Sequence, residues 1–331
     1  MKAVIYLISS ILCFAGGLSA ALKEKAGQSN HAWQDYAWLE SDSCAVLLNG
    51  MKTIWQFNYD KAHGKPYFYP LSTIDGQNLA WLRPKDHPWH YGLWFSWKFI
   101  NNSNFWEEDI NTRKSQGTPA ITGISKTLSG DFSATFKIDL SYTPEAGREA
   151  LREKRTIRVS APDSLGNYFI DWSLYYLAKS DTVILDRTLP GKLGGPTYGG
   201  YAGLSFRASK NLTRHQYIDA NGWVNKANYI GHGEKANWMD LSGTIGNSNG
   251  RPGVAMFNHP ENGSGQVPWY VYKKGDFAFL NAGILFDEPM VILPGNTLNL
   301  KYRVLVHSRE MTGGEINAYY KKYIDLQDTG D

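Results

Sequence analysis

Between Arg83 and Asp109 the chain sets Asp86, His87, His90, Glu107 and Glu108 among Trp89, Trp94, Trp97 and Trp106. A hydrophobic core asks for none of those polar groups, so their density marks a candidate site. His87 and His90 lie three apart around Pro88, which rules out a helix interior and favours an extended or turn segment. In a strand, residues three apart face opposite sides, so convergence of the two imidazoles needs a turn or bulge. Two chemistries fit them. As a metal pair they would suit zinc or a similar divalent ion, with a third ligand from His259, His307 or Glu107. As acid–base groups they would use the titration of imidazole near neutral pH. The plain alternative is two histidines bonded to backbone in an aromatic loop; Asp86 and Arg83 beside them tilt the balance towards function.

Later residues could complete the site. His259, in Phe257-Asn258-His259-Pro260, follows a predicted strand and precedes a proline, as His87 does; His307 closes the last strand and ranks below it. Glu107 follows Trp106, where a carboxylate could meet a sugar hydroxyl or a metal, or simply form a surface acidic turn. Two carboxylates at suitable separation would permit glycoside hydrolysis. Arg155, Arg207 and Arg303 each sit on or beside a strand, and a planar guanidinium is a natural clamp for a carboxylate or sulfate. Arg207, after the glycine-rich Tyr198 to Phe206 stretch, is the favoured one. Trp89, Trp94 and Trp106 offer ring faces for stacking on a sugar, or core filling.

The elements that must hold these groups read as strands. Asn49-Gly50 marks a hairpin within Trp38 to Tyr59. Tyr67 to Leu71, Leu79 to Leu82, Ser133 to Tyr142, Arg155 to Val159, Tyr168 to Leu177 and Thr182 to Leu185 follow. Then come Gly253 to Phe257, Trp269 to Tyr272, Phe277 to Phe286, Met290 to Leu293 and Leu298 to Val306. Phe136, Ile138 and Leu140 share one face, as do Leu298, Leu300, Tyr302, Val304 and Val306. Asn221 to Gly250 reads as a long polar loop or hairpin, and Gly313-Gly314-Glu315 opens a short helix over Ile316 to Tyr323. With no repeat or linker, the expectation is an all-β fold: one large β-sandwich domain over residues 21–331 with a short C-terminal helix.

Residues 1–20 read as a secretory signal peptide: Lys2, an apolar run from Ala3 to Gly17, and small residues at a cleavage point near Ala20. The expected location is the periplasm or the exterior, with no integral membrane segment after removal, since no later stretch holds about 18 apolar residues in a row. Cys13 would leave with the leader, so Cys44 alone remains and no internal disulfide forms. The net charge of +3 is dispersed and no basic run interleaves with aromatics, so nucleic acid is not an expected partner. No phosphate-binding glycine loop, Gly-x-Ser-x-Gly or His-Glu-x-x-His is present, which disfavours nucleotide cofactors, serine hydrolases and zincins. The 12 Trp, 20 Tyr and 14 Phe suit both strand packing and a sugar cleft, an oligosaccharide being the expected partner.

The run Arg83-Pro84-Lys85-Asp86-His87-Pro88-Trp89-His90-Tyr91-Gly92-Leu93-Trp94-Phe95-Ser96-Trp97 with Asn104-Phe105-Trp106-Glu107 resembles the signature of the soluble PmoA-like family. Asn258-His259-Pro260 with Pro268-Trp269, and Tyr302-Arg303-Val304 with His307, fit it too. Where many members carry two adjacent histidines and then an arginine, this chain has Trp89-His90-Tyr91. The resemblance implies a β-sandwich protein of carbohydrate catabolism, its activity the dehydration of uronic-acid oligosaccharides from ulvan, a marine sulfated polysaccharide. That chemistry removes the proton next to a carboxylate and expels the neighbouring hydroxyl, and so needs a cation, a base and an acid. Arg207, or a metal on His87 and His90, would stabilise the developing charge. His259 or Tyr198 would be the base, and Glu107 or His90 the acid. Arg83, Trp89, Trp94, Trp106, Arg207 and His307 would line the substrate. A glycoside hydrolase or a non-catalytic glycan-binding module on the same scaffold are the alternatives.

Overall fold

The computed structural model describes residues 35–145, 147–225, 229–246, 250–263 and 265–328. The expected signal peptide, with Cys13, lies outside the described residues.

Strands with one wet face follow the alternation of their sequence. In Ala134–Thr143 and Leu151–Val159 every second residue is buried, and Phe136, Ile138 and Leu140 enter the core as expected. Among the described residues such strands build two nine-stranded sheets and one four-stranded sheet, every pairing antiparallel. The front sheet runs Tyr36–Glu40, Cys44–Asn49, Lys52–Asn58, Tyr67–Leu71, Leu93–Ser96, Gly203–Arg207, Phe277–Ala282, Val267–Lys274 and Tyr229–Ala236. The back sheet centres on Gly253–Asn258, Thr297–His307, Tyr168–Ala178 and Leu151–Val159. One continuous apolar core fills the space between them, with Trp55, Phe68 and Leu280 from the front meeting Phe136, Trp172 and Tyr302 from the back.

The all-β sandwich with its C-terminal helix, Gly313–Asp328, is as expected. Two elements differ. Leu79 to Leu82 forms only isolated bridges, Ala80 to Ala208 and Leu82 to Tyr91, with single backbone bonds to Leu71, Arg207 and Ser209 in place of a continuous ladder. The polar stretch after Asn221, expected as a loop or hairpin, is neither: it holds Val224–Asn225, Tyr229–Ala236 and Trp238–Ile245, each paired with strands outside the stretch. Backbone ladders recruit Gly- and Asn-rich sequence there that carries little strand propensity of its own.

The middle of the front sheet breaks the one-face rule. Leu93–Ser96, Gly203–Arg207 and Phe277–Ala282 are buried along nearly their whole length. Leu93, Phe95, Leu204, Phe206 and Leu280 point into the core, while Trp94 and Phe279 belong to a second cluster on the outer face. Cross-strand partners share a face, so the register Tyr67–Trp94–Ser205–Asn281–Tyr270 makes one outer row and Arg207–Phe279–Tyr272 the next. A sheet covered on both sides has something resting on its outer face. Here that is the chain on either side of Leu93–Ser96: the turn from Arg83 to Tyr91 before it and the stretch around Trp106 after it, the latter following the small sheet of Met290–Ile292, Val183–Asp186, Phe99–Ile100 and Ser103–Asn104.

Candidate active site

The histidine stretch is a tight turn, as Pro88 demands. The Arg83 amide donates to His90 O at 2.8 Å, the His87 amide to Pro84 O at 3.0 Å and the His90 amide to His87 O at 3.0 Å. Two backbone features seat the turn on the sheet. Arg83 adopts a left-handed φ of 47°, and Gly92, at φ 72°, passes so close to Phe68 O that a Cβ would meet it at 2.6 Å. The turn brings the imidazoles of His87 and His90 to 4.6 Å between ring centres, at 32°.

Asp86 joins this turn to the sheet. Its Oδ2 accepts from His87 Nδ1 at 2.8 Å and from Arg207 Nη2 at 2.8 Å. Burial acts to raise the Asp86 carboxyl, but the bonds from His87 and the charge of Arg207 outweigh it and hold it below its ordinary value. An ionised Asp86 can only accept, so the proton of that bond sits on His87 Nδ1, and in the neutral ring Nε2 carries the lone pair. Arg207 is itself fixed: it is 1% exposed, with Cζ 3.4 Å from the centre of the Phe277 ring. His87 remains more than a third exposed. This is a base aimed by a carboxylate that a buried cation holds in place.

His90 plays another part. It is stacked on Phe279 at 5.0 Å and lies 5.1 Å from Trp94. Burial first, then the neighbouring charges of His87 and Arg207, push its imidazole well below the ordinary value, so it is neutral near pH 7. Among the described residues no group of three or more His, Cys, Asp or Glu is arranged to hold a metal.

Two carboxylates flank the turn, each already engaged. Glu108 accepts from Lys65 Nζ at 2.7 Å, Arg83 Nη1 at 2.9 Å and Tyr91 OH at 2.6 Å. Glu107 accepts from Lys98 Nζ, from Asn104 Nδ2 at 2.7 Å and from Tyr201 OH at 2.8 Å. For each, burial favours the neutral acid, yet the lysine and the other donors win and hold the carboxyl below its ordinary value. Glu107 is therefore an anion in this arrangement, which counts against the expected role as proton donor.

The remaining expected residues divide. Arg83 is one-fifth exposed and belongs to the cluster. Trp89 stands half-buried with its ring 5.6 Å from His87. Trp94 and Trp106, 1% and 2% exposed, form the floor of the site and offer no open ring face. Arg207 is too deeply covered to clamp a substrate directly and acts on Asp86. His259 is brought nowhere near: it closes a back-sheet strand and lies against Tyr323 of the C-terminal helix at 5.4 Å. His307 is fully buried in the back sheet, between Asp240 Oδ1 at 2.9 Å and Arg309 O at 2.6 Å, and cannot line a substrate. Tyr198 is 55% exposed on the loop before Gly203, and no described hydrogen bond or ring contact joins it to the histidines. Arg303 is spent on a two-pronged pair with Asp171, and Arg155 on one with Glu153 inside the core.

Lys65, Lys98, Tyr201, Tyr272 and Phe277 went unnoticed in the sequence. The lysines carried a signal, each standing alone in an apolar or turn setting, Trp97-Lys98-Phe99 and Gly64-Lys65-Pro66, but their partners were not readable.

The chain belongs to the DUF6807 family, a family of unknown function, whose model matches residues 44–321. No curated protein matches the sequence. Among solved structures the chain is similar to an α-galactosidase from Lactobacillus brevis, at 10% identity and a TM-score of 0.46 over 83% of this chain and 40% of that one. It is also similar to the α-galactosidase AgaB from Geobacillus stearothermophilus, at 10% identity and a TM-score of 0.42 over 86% and 41%. A 4-α-glucanotransferase from Thermococcus litoralis follows at 9% identity and a TM-score of 0.29 over 89% and 40%. The chain thus spans about 40% of the length of these enzymes. At such distances they speak to neither substrate nor activity.

Proposed function

We propose that this member of the DUF6807 family is a carbohydrate-active enzyme that dehydrates a uronic-acid sugar, with His87 as the base. The observation that carries the reading is the chain Arg207–Asp86–His87, in which a buried guanidinium fixes a carboxylate that fixes an exposed imidazole. Such an arrangement serves proton transfer: Asp86 sets the tautomer and steadies the imidazolium once it forms. The half-buried rings of Trp89, Tyr201, Tyr272 and Phe277 around it suit the apolar faces of a sugar.

In the reaction His87 Nε2 takes the proton on the carbon next to the substrate carboxylate. The electron pair of that C–H bond becomes a carbon–carbon double bond, and the C–O bond to the neighbouring hydroxyl breaks. The proton held by His87 leaves with that hydroxyl as water. Arg83, the partly exposed cation of the cluster, offsets the charge that gathers on the carboxylate. Ulvan oligosaccharides are the first substrates to try, on the strength of the resemblance alone. Export to the periplasm or beyond belongs to the same proposal and rests on residues 1–20.

The test is to incubate the protein with uronate-bearing and with neutral oligosaccharides, following ultraviolet absorbance and mass. A conjugated double bond with loss of one water, on the uronates only, is the expected result. Shorter sugars with new reducing ends would overturn the proposal in favour of a hydrolase, and no change on either class would overturn enzymatic action on them altogether.

A further inference from the structure

The outer face of the back sheet, across the sandwich from His87, holds a groove of about 330 Å³. Small-ligand sites usually measure about 300–1,000 Å³. Cross-strand partners share a face, so the register of Leu151–Val159, Tyr168–Ala178 and Thr297–His307 sets Lys154, Tyr175 and Asn299 in one row. Thr156, Ser173 and Lys301 make the next row, and both rows line the groove. Leu174 and Leu300, between them in sequence, turn into the core, so the alternation that builds the sandwich fixes these groups on its outside. A wall is supplied by the turn after Asn258, from which Glu261 also lines the groove. That turn is stapled to the strand: Asn262 Nδ2 donates to Lys301 O at 2.6 Å, and the Lys301 amide donates to Asn262 Oδ1 at 2.8 Å.

Tyr175 is 40% exposed, and among the described residues Tyr198 is the only other exposed aromatic. A phenol ring set among hydroxyl, amide and ammonium groups gives a sugar ring a face to lie on, with donors and acceptors around it for the sugar hydroxyls. The charge of the face is positive. Lys301 is paired with Glu261 Oε2 at 2.8 Å, Arg303 with Asp171 and Arg152 with Glu149. Of the exposed residues in Ala134–Thr143 and Leu151–Val159, Lys137, Lys154 and Arg158 are then left against Asp139. We propose that this groove is a second glycan site, holding one sugar of an acidic oligosaccharide with its ring on Tyr175 and its carboxylate or sulfate beside Lys154. Thr156, Ser173 and Asn299 meet the hydroxyls. A site on the opposite face from His87 does no chemistry; it keeps a long chain on the protein between encounters with the candidate active site. The proposal is independent of what His87 does.

The experiment is calorimetry on the full chain in a His87→Ala background, alone and with Tyr175→Ala or Lys154→Glu added, melting showing that each protein is folded. The ligands are an oligogalacturonate, an oligogalactan sulfate and the unsulfated oligogalactan. The expected result is that an acidic ligand binds more tightly than the unsulfated one and that either added substitution weakens it by about 10-fold or more. Which of the two acidic ligands binds assigns the anion as carboxylate or sulfate, and Lys154→Glu, on an exposed side chain, gives the answer if Tyr175→Ala does not fold. Equal affinity in all three proteins, no binding of either acidic ligand, or equal binding of the unsulfated one would overturn the inference. Turnover of a uronate by the wild type is read separately, so the failure of one proposal leaves the other standing.

Discussion

Asp86 and His87 stand next to each other in the sequence, yet their partnership depends on Arg207, 121 residues away. Asp86 is 42% and His87 37% exposed at the side chain, so neither is needed for packing. Replacing Asp86 by Asn keeps the shape but weakens the hold on Arg207 and presents His87 with an amide that can favour the wrong tautomer. We expect kcat to fall by about 100-fold or more, measured by steady-state rates. The thermal midpoint should be lowered as well because the buried Arg207 loses its anionic partner, melting showing that the variant is still folded at the assay temperature. Equal rates in the two proteins would remove Asp86 from the mechanism. The motif was legible at this scale because histidine, carboxylate and proline report their chemistry by type. Lys65 and Lys98 were not, since a lysine announces a buried role only through its carboxylate, and Glu108 lies 43 residues from Lys65.

Strands with one wet face announced themselves by alternation, and Ala134–Thr143, Tyr168–Ala178 and Thr297–His307 lie close to where the pattern put them. The strands that carry the site were harder to read as such, because Leu93–Ser96 and Gly203–Arg207 are covered on both faces and lose the alternation. Which face Trp94 takes follows from its register with Tyr67 and Ser205, and register is not a local property. His307 shows the same limit: its type suggested a site, while the back sheet encloses it against Asp240. Its Nδ1 meets Arg309 O and its Nε2 meets Asp240 Oδ1, so the ring is held at both nitrogens. Changing Asp240 to Ala should cost about 3–5 kcal/mol in urea unfolding, with little effect on the chemistry at His87; a loss below about 1 kcal/mol would contradict this account of the pair. At the C-terminal helix, Thr312 Oγ1 accepts from the Glu315 amide at 3.3 Å and Glu315 Oε2 accepts from the Thr312 amide at 2.8 Å, a reciprocal cap. Thr312→Ala should therefore lower stability by about 1 kcal/mol, seen as an earlier urea midpoint.

At the scale of the molecule, the all-β class was legible from strand spacing, whereas the separation of the two outer faces was not. That separation puts His87 and His90 on the front sheet and leaves His259 and His307 with the back one. It also buries histidines that report on pH. His215 is 3% exposed, and burial, then Lys273, push its imidazole down to about 4; His90 is displaced the same way. An unfolded histidine titrates near 6.5. As pH falls from about 6.5 to about 4 the unfolded chain takes up protons that the folded one refuses, so stability declines across that window and levels off below it. His215 alone should contribute on the order of 1–3 kcal/mol of that decline. Urea midpoints at pH 7 and pH 5 should differ in the wild type and differ less in His215→Gln; equal midpoints in the wild type would contradict this. The claim on which the rest hangs is that His87 removes a proton from a uronic acid. The most direct measurement follows wild type and His87→Ala on a uronate oligosaccharide labelled with deuterium at the carbon beside the carboxylate, by NMR and mass. The account predicts loss of the deuteron to solvent with formation of the double bond in the wild type, and a rate lower by about 100-fold or more in the variant. Loss of the label at equal rates in both, or its retention in a product the wild type has turned over, would contradict it.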